Sequence, residues 1–153
     1  MTVAERIVVV GASLAGLRAA EAVRGAGFEG ALVMVGDEAL APYDRPPLSK
    51  EVLLGTFARA GTTPATTLAR LGDLGAVEWR LGRRAVALDR TNRRVALDDG
   101  TDLAYDRLLV ATGVRNRPWP HDEQAALDGV VGVRTAGDAA GLAGRLAARP
   151  RRV

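Results

Sequence analysis

The sequence predicts an α/β fold in which a parallel sheet is interrupted by an antiparallel excursion. Within the first 35 residues a β-branched apolar run, a glycine-rich turn, a helix-period segment and a second apolar run follow one another, the order of a right-handed βαβ unit. From residue 77 onward the apolar spacing shortens to that of strands, and Asp99-Gly100 supplies a hairpin turn. The third observation is bulk: 153 residues, 48% hydrophobic and with 18 glycines, suit one globular domain with a real core and many close backbone approaches.

The first element is Ile7 to Val10, an uninterrupted apolar run of the kind found in strands buried on both faces. Gly11 to Gly16 ends it. Leu14, Leu17, Ala20 and Val23 then recur every three residues as one helix face, with Gly25 and Gly27 as stop signals. Ala31 to Val35 is the second buried strand. Pro42 to Pro47 must be turn or extended loop, and Leu48 to Leu54 predicts a short helix ending near Gly55. Residues 56–67 read as a surface connection, and a helix is expected around Thr67 to Leu74.

Val77 to Leu81, Ala85 to Asp89 and Arg94 to Leu97 form the expected antiparallel excursion. Arg107 to Ala111 brings the chain back as an apolar strand. Pro118 to Pro120 is loop, Val130 to Val133 a candidate short strand, and Gly137 to Ala148 helical in character. Neither an internal repeat nor a linker breaks this order.

Composition excludes several chemistries. With no cysteine there is no disulfide, thiolate nucleophile or cysteine-ligated cluster, and the single histidine, His121, rules out a multi-histidine metal site. His121 sits in a proline-rich polar stretch that suits a solvated loop. The net charge is +3, but the arginines are scattered and aromatics make up only 4%. That pattern does not suit nucleic acid, which needs clustered charge and stacking surfaces. The N-terminal apolar run is too short for a signal-peptide core and no run approaches membrane-spanning length, so a cytoplasmic protein is expected.

Lys50 is the only lysine, against twenty arginines. An ammonium is a compact point charge where a guanidinium is planar and bulky, so a position that keeps lysine points to a need for that shape of charge.

Gly11-Ala12-Ser13-Leu14-Ala15-Gly16 falls on a GxGxxG frame between strand and helix. The first glycine permits the turn, the last permits close helix packing, and the helix N-terminus offers amides to a pyrophosphate. Ser13 replaces the middle glycine, where a small hydroxyl can donate a hydrogen bond. An acidic residue about 20 positions on is expected to take a ribose hydroxyl; Asp37 lies 21 residues past Gly16, with Glu38 as the alternative.

Three further segments join this turn: Pro42-Tyr43-Asp44-Arg45-Pro46-Pro47-Leu48-Ser49-Lys50, Tyr105-Asp106-Arg107-Leu108-Leu109-Val110-Ala111-Thr112-Gly113, and Val133-Arg134-Thr135. In that order they resemble the FAD-binding part of the pyridine-nucleotide-dependent flavoprotein reductases, in the branch of the ferredoxin, putidaredoxin and rubredoxin reductases. The resemblance implies an FAD/NAD(P)-binding Rossmann-like parallel sheet with an antiparallel β-meander excursion. It implies further that Gly11, Ala12, Ser13, Leu14, Ala15 and Gly16 hold the FAD pyrophosphate, that Asp37 binds the adenosine ribose, and that Ala85 meets the adenine through its backbone. Arg45 and Lys50 would line the flavin, Ala111, Thr112 and Gly113 would close over the dinucleotide, and Arg134 would contact it as well. No catalytic side chain and no metal ligand is assigned.

In such enzymes NAD(P)H reduces the flavin, which passes electrons to a ferredoxin- or rubredoxin-type iron–sulfur partner. Relatives that reduce disulfides carry redox cysteines near the middle loop, where this chain has Ser49. The resemblance pairs Lys50 with a glutamate from a nicotinamide-binding domain. Residues 1–153 are accordingly expected to be a truncated FAD-binding domain, with the NAD-binding and C-terminal interface domains absent and with little turnover of their own. Two other readings stand beside this one: a catalytically incomplete dinucleotide-binding or interaction module, and a different flavoprotein such as a monooxygenase sharing only the first βαβ unit. The loop ending in Lys50 and the lack of cysteine argue against the monooxygenase.

Overall fold

The computed structural model describes residues 5–54, 74–117 and 119–148, which divide into two compact units. The first takes in residues 5–43 and 74–113, the second residues 44–54, 114–117 and 119–148.

In the first unit, β1 (Arg6–Val10) leads through the glycine turn into α1 (Leu14–Gly25) and returns as β2 (Ala31–Gly36). β3 (Val77–Leu81) and, after a further sheet, β7 (Arg107–Val110) complete four parallel strands in the order β3-β2-β1-β7. Beyond Arg6 the central strands are apolar because each face has its own cover. Val8, Val10, Val33 and Val35 pack with Val95, Leu97 and Leu103 of the antiparallel sheet on one side. Val9, Leu32 and Met34 pack with Leu17 and Ala20 of α1 and with Leu74 on the other. Alternate residues thus face opposite layers, as strand geometry requires.

That antiparallel sheet is β4 (Ala85–Asp89), β5 (Arg94–Leu97) and β6 (Asp102–Ala104), in sequential order. Its turn at Asp99-Gly100 is as expected: Gly100 has φ +83° and donates to the Leu97 carbonyl. Membership differs from the sequence expectation at one strand. Val77–Leu81 runs parallel to β2, from Leu32 opposite Val77 to Gly36 opposite Leu81, and the third antiparallel strand is Asp102–Ala104. Strand β6 was not anticipated because only Leu103 of its three residues is apolar and buried.

Two side chains fasten the edges of this unit. The Asp106 carboxylate accepts from the amides of Glu5 and Arg6 at 2.9 and 2.8 Å, joining the start of β7 to the start of β1. Arg24, in the last turn of α1, donates to the carbonyls of Phe28, Gly30, Leu74 and Ala76 and lies 5.5 Å over the Phe28 ring. One guanidinium thereby satisfies carbonyls from the α1–β2 loop and from the segment entering β3, which a lysine has too few fixed donors to do.

The second unit contains a short 3₁₀ helix, Pro46–Ser49, a single turn α2 (Asp122–Ala125) and α3 (Ala136–Ala147). The helix expected over Leu48–Leu54 is instead this 3₁₀ turn, started by the prolines whose fixed φ suits a helix start. It ends at Lys50, whose φ of −130° and ψ of −100° leave the helical region, and 51–54 continue as turn. No strand forms at Val130–Val133, which has no regular secondary structure. Helix α3 begins at Ala136, behind a capping box in which Thr135 Oγ1 accepts from the Asp138 amide while Asp138 Oδ2 accepts from the Thr135 amide. The connection expected at 56–67 lies outside the described residues, as does the helix around Thr67 except for its last residue, Leu74.

Candidate functional site

At the carboxyl end of the parallel sheet the order β3-β2-β1-β7 reverses direction at β1. From β1 the chain goes to β2 on one side, and β7 returns on the other. Such a switch point leaves a crevice beyond the strand ends, where α/β sheets take their ligands. The glycine turn sits there. The Gly11 amide donates to the Val35 carbonyl at 2.8 Å, and the Ala111 amide donates to the Val10 carbonyl at 2.7 Å. Turn, β2 end and β7 end are therefore fixed to one another by backbone alone.

The glycines are required by contact. Gly11 has φ +121°, and a Cβ there would collide with the Ala111 carbonyl. A Cβ on Gly16 would be driven into the Gly11 carbonyl and would meet Val9 Cγ1 at 3.2 Å. Gly36, at the end of β2, would place a Cβ 2.8 Å from Ala12 Cβ. Sequence reasoning did not single out Gly36; its signal was a glycine closing an otherwise apolar strand.

Ser13 is the N-cap of α1, with extended backbone and no side-chain cap bond to the helix. The first turn of α1 carries no acidic residue, so its amides and the positive end of the helix dipole suit a phosphate group. Leu14 and Ala15 are exposed, while Gly16 is buried against the strand. Asp37 follows β2 directly and is 55% exposed on its side chain. Glu38, the alternative acid, accepts the Tyr43 hydroxyl at 2.5 Å. Both acids are therefore engaged by the protein, Glu38 by Tyr43 and Asp37 by Arg84. Thr112 and Gly113 are exposed just past β7, and Gly113 has φ +70°. Ala85 opens β4, half-buried against the core. The set fits a dinucleotide chemically: backbone amides for phosphate, a carboxylate for a sugar hydroxyl, and glycine where the backbone must come close.

One residue of this unit was missed by sequence reasoning. Arg84, next to Ala85, donates from Nε and Nη2 to the Asp37 carboxylate at 3.1–3.2 Å. Its signal was a second arginine immediately before the proposed adenine contact.

The second unit brings Arg45 and Arg134 together. Arg45 Nη1 donates to the Arg134 carbonyl at 2.6 Å, and Arg134 Nε donates to the Val114 carbonyl at 3.1 Å. With Pro46, Leu48, Ser49 and Val133 they line a hollow of about 250 Å³. Lys50 follows Ser49 and is exposed. Behind Arg134 the Asp138 carboxylate accepts the Arg134 and Thr135 amides at 3.0 and 2.8 Å. Partial burial of Asp138 opposes its ionisation, but the amides of Thr135 and Arg134, the Thr135 hydroxyl and the charge of Arg45 outweigh that and hold its carboxyl below the usual range.

Among the described residues no group of acidic or histidine side chains is arranged to hold a metal ion. No described helix is long and apolar enough to cross a membrane.

The pattern of the pyridine nucleotide-disulphide oxidoreductases matches residues 5–152. The chain belongs to this family. These residues include no cysteine. Among curated relatives, rhodocoxin reductase of Rhodococcus erythropolis is 41% identical over 141 residues, covering 92% of this chain and 32% of the relative. The ferredoxin–NAD(+) reductase component of an anthranilate 1,2-dioxygenase system from Burkholderia cepacia is 42% identical over 154 residues, covering 98% and 36%. Among solved structures, putidaredoxin reductase in its covalent complex with putidaredoxin superposes with a TM-score of 0.76 at 33% identity, covering 93% of this chain and 34% of that one. These are the reductases that the ordered motifs resemble. The chain spans about a third of the length of each.

Proposed function

We propose that this chain is the FAD-binding part of an NAD(P)H-dependent flavoprotein reductase that passes electrons to a ferredoxin- or rubredoxin-type iron–sulfur protein. The observation that carries the reading is the glycine turn at the switch point, with Asp37 and Thr112-Gly113 on the same edge of the sheet. The names of the relatives, reductases serving rhodocoxin, putidaredoxin and dioxygenase ferredoxins, support the choice of acceptor class.

In this reading each residue has a defined task. The amides from Ala12 through Gly16 bind the pyrophosphate, with Gly11 and Gly16 permitting the approach. Asp37 accepts a ribose hydroxyl, Ala85 presents its backbone to the adenine, and Ala111 to Gly113 close against the dinucleotide. Arg45, Lys50 and Arg134 supply positive charge on the flavin side, where stabilising the reduced, anionic ring favours electron uptake. When bound, FAD supplies the redox chemistry, accepting electrons in pairs from NAD(P)H and releasing them singly. The glycine-rich strand–turn–helix of the described residues is assigned here to FAD, and we read residues 1–153 accordingly as an FAD-binding domain.

The purified protein is expected to be yellow or to become so with added FAD, and to release FAD on denaturation. Protein that stays colourless and never quenches FAD fluorescence overturns the assignment. NADH oxidation with a dye acceptor is expected to be absent from the 153-residue chain alone.

A further inference from the structure

We propose that Arg84 is a positioning residue for the adenosine end of the dinucleotide site, acting through Asp37. The proposal rests on the reading of Asp37 as the acceptor for a ribose hydroxyl and adds the group that aims it.

Asp37 begins the segment after β2 with half its side chain in solvent. Arg84 restricts the rotamers open to it. Its Nε and Nη2 both reach Oδ1 at 3.2 Å, and Nη2 reaches Oδ2 at 3.1 Å, so the rigid guanidinium fork spans both carboxylate oxygens. A carboxylate accepts about four hydrogen bonds in its plane. Gripping it from the Arg84 side therefore sets the direction in which a sugar hydroxyl is received.

The arginine is itself held from several directions. Its carbonyl accepts the Asp98 amide at 2.9 Å, the neighbouring Arg83 amide donates to the Gly36 carbonyl at 2.8 Å, and the Arg83 side chain pairs with Asp99 at 2.7 Å. Gly82, at φ +68°, turns the chain onto the Glu38 carbonyl just before this point. The β3–β4 turn is thus stitched to the end of β2 on both sides of Asp37. The ion pair is 52% and 55% exposed on its two side chains, and such open pairs contribute little to stability. A position this well anchored that contributes little to stability suits a role in orientation. Arg84 also directly precedes Ala85, so the pair stands next to the backbone assigned to the adenine.

The test uses the protein expressed from its native reading frame and compares ADP with 2′-deoxy-ADP, by displacement of FAD or by calorimetry. The wild type is expected to prefer ADP by about tenfold, the effect of one hydrogen bond to a charged acceptor. Arg84→Ala is expected to reduce that preference to less than about threefold with little change in melting temperature, and Arg84→Lys to leave it in between. Asp37→Asn should abolish the preference altogether. If Arg84→Ala keeps the wild-type preference, or increases it, Arg84 does not aim the carboxylate and the proposal falls. If the wild type binds FAD but shows no preference between the two nucleotides, the assignment of Asp37 falls, and the proposal with it.

Discussion

Individual residues carry most of what was legible in the sequence. Gly11 and Gly16 were read from spacing alone, and the contacts made by a hypothetical Cβ give the cause. The same contacts predict sharply different responses within one helix. Gly16→Ala is expected to destabilise by about 2–4 kcal/mol, because backbone and strand must move apart. Gly25→Ala, with nothing within 4 Å of the added carbon, should be neutral or stabilising by up to about 1 kcal/mol. Urea unfolding of both variants checks the contrast, and equal effects would remove the packing argument. Lys50 is exposed and follows Ser49, which lines the hollow with Arg45 and Arg134; a guanidinium in its place would spread the charge over a planar group. Lys50→Arg in the native-length protein is therefore expected to slow flavin reduction severalfold in stopped flow while FAD affinity changes less. Unchanged reduction kinetics would return the lone lysine to chance. Arg84 escaped sequence reading because its partner lies 47 residues away, and only the fold brings the two together.

At the level of elements, legibility followed periodicity. Continuous apolar runs marked β1, β2 and β7, and spacing of three marked α1. What failed was pairing: β3 looked like its neighbours in sequence, yet it lies beside β2 and runs parallel to it. Local pattern sets strand length and face; partner choice is set by long-range packing. The start of α3 was nearly legible, for Thr135 with an acidic residue three positions on is a capping signal, and it yields a pH prediction. The Asp138 carboxyl is held below its ordinary range when folded. Its contribution is therefore fully present above the unfolded carboxylate range, near pH 4, and is lost as pH falls through the lower folded value. The stability gap between wild type and Asp138→Asn is expected to be constant from pH 7 to about 5 and to shrink below about 4. A gap that widens on acidification would reverse the sign argued here. Thr135→Ala, which removes the other half of the box, should cost about 1 kcal/mol at neutral pH and less once Asp138 is protonated.

For the whole molecule, the order of motifs proved more informative than any one of them. A glycine turn alone is a weak signal, whereas the turn, the Pro42–Lys50 loop, the β7 segment and Val133-Arg134-Thr135 together led to the family that residues 5–152 match. On the proposed reading FAD contacts are drawn from the first unit, Gly11 to Gly16, Asp37 and Ala111 to Gly113, and from the second, Arg45, Lys50 and Arg134. That reading makes a separate prediction for each unit. A ligand that binds only the folded state stabilises it by about 2.7 kcal/mol at a hundred times its dissociation constant, and local opening of whatever it touches is suppressed by a comparable amount. Amide exchange should therefore slow on FAD addition at two separated stretches, the turn from Ala12 to Gly16 and the segment around Arg134 and Thr135. ADP, which lacks the flavin, should protect the first stretch and leave the second at its ligand-free rate. Protection by FAD confined to the first unit would remove Arg45, Lys50 and Arg134 from the cofactor while leaving the pyrophosphate and ribose contacts in place. Equal protection of the second unit by ADP would place those arginines at the nucleotide end instead of the flavin.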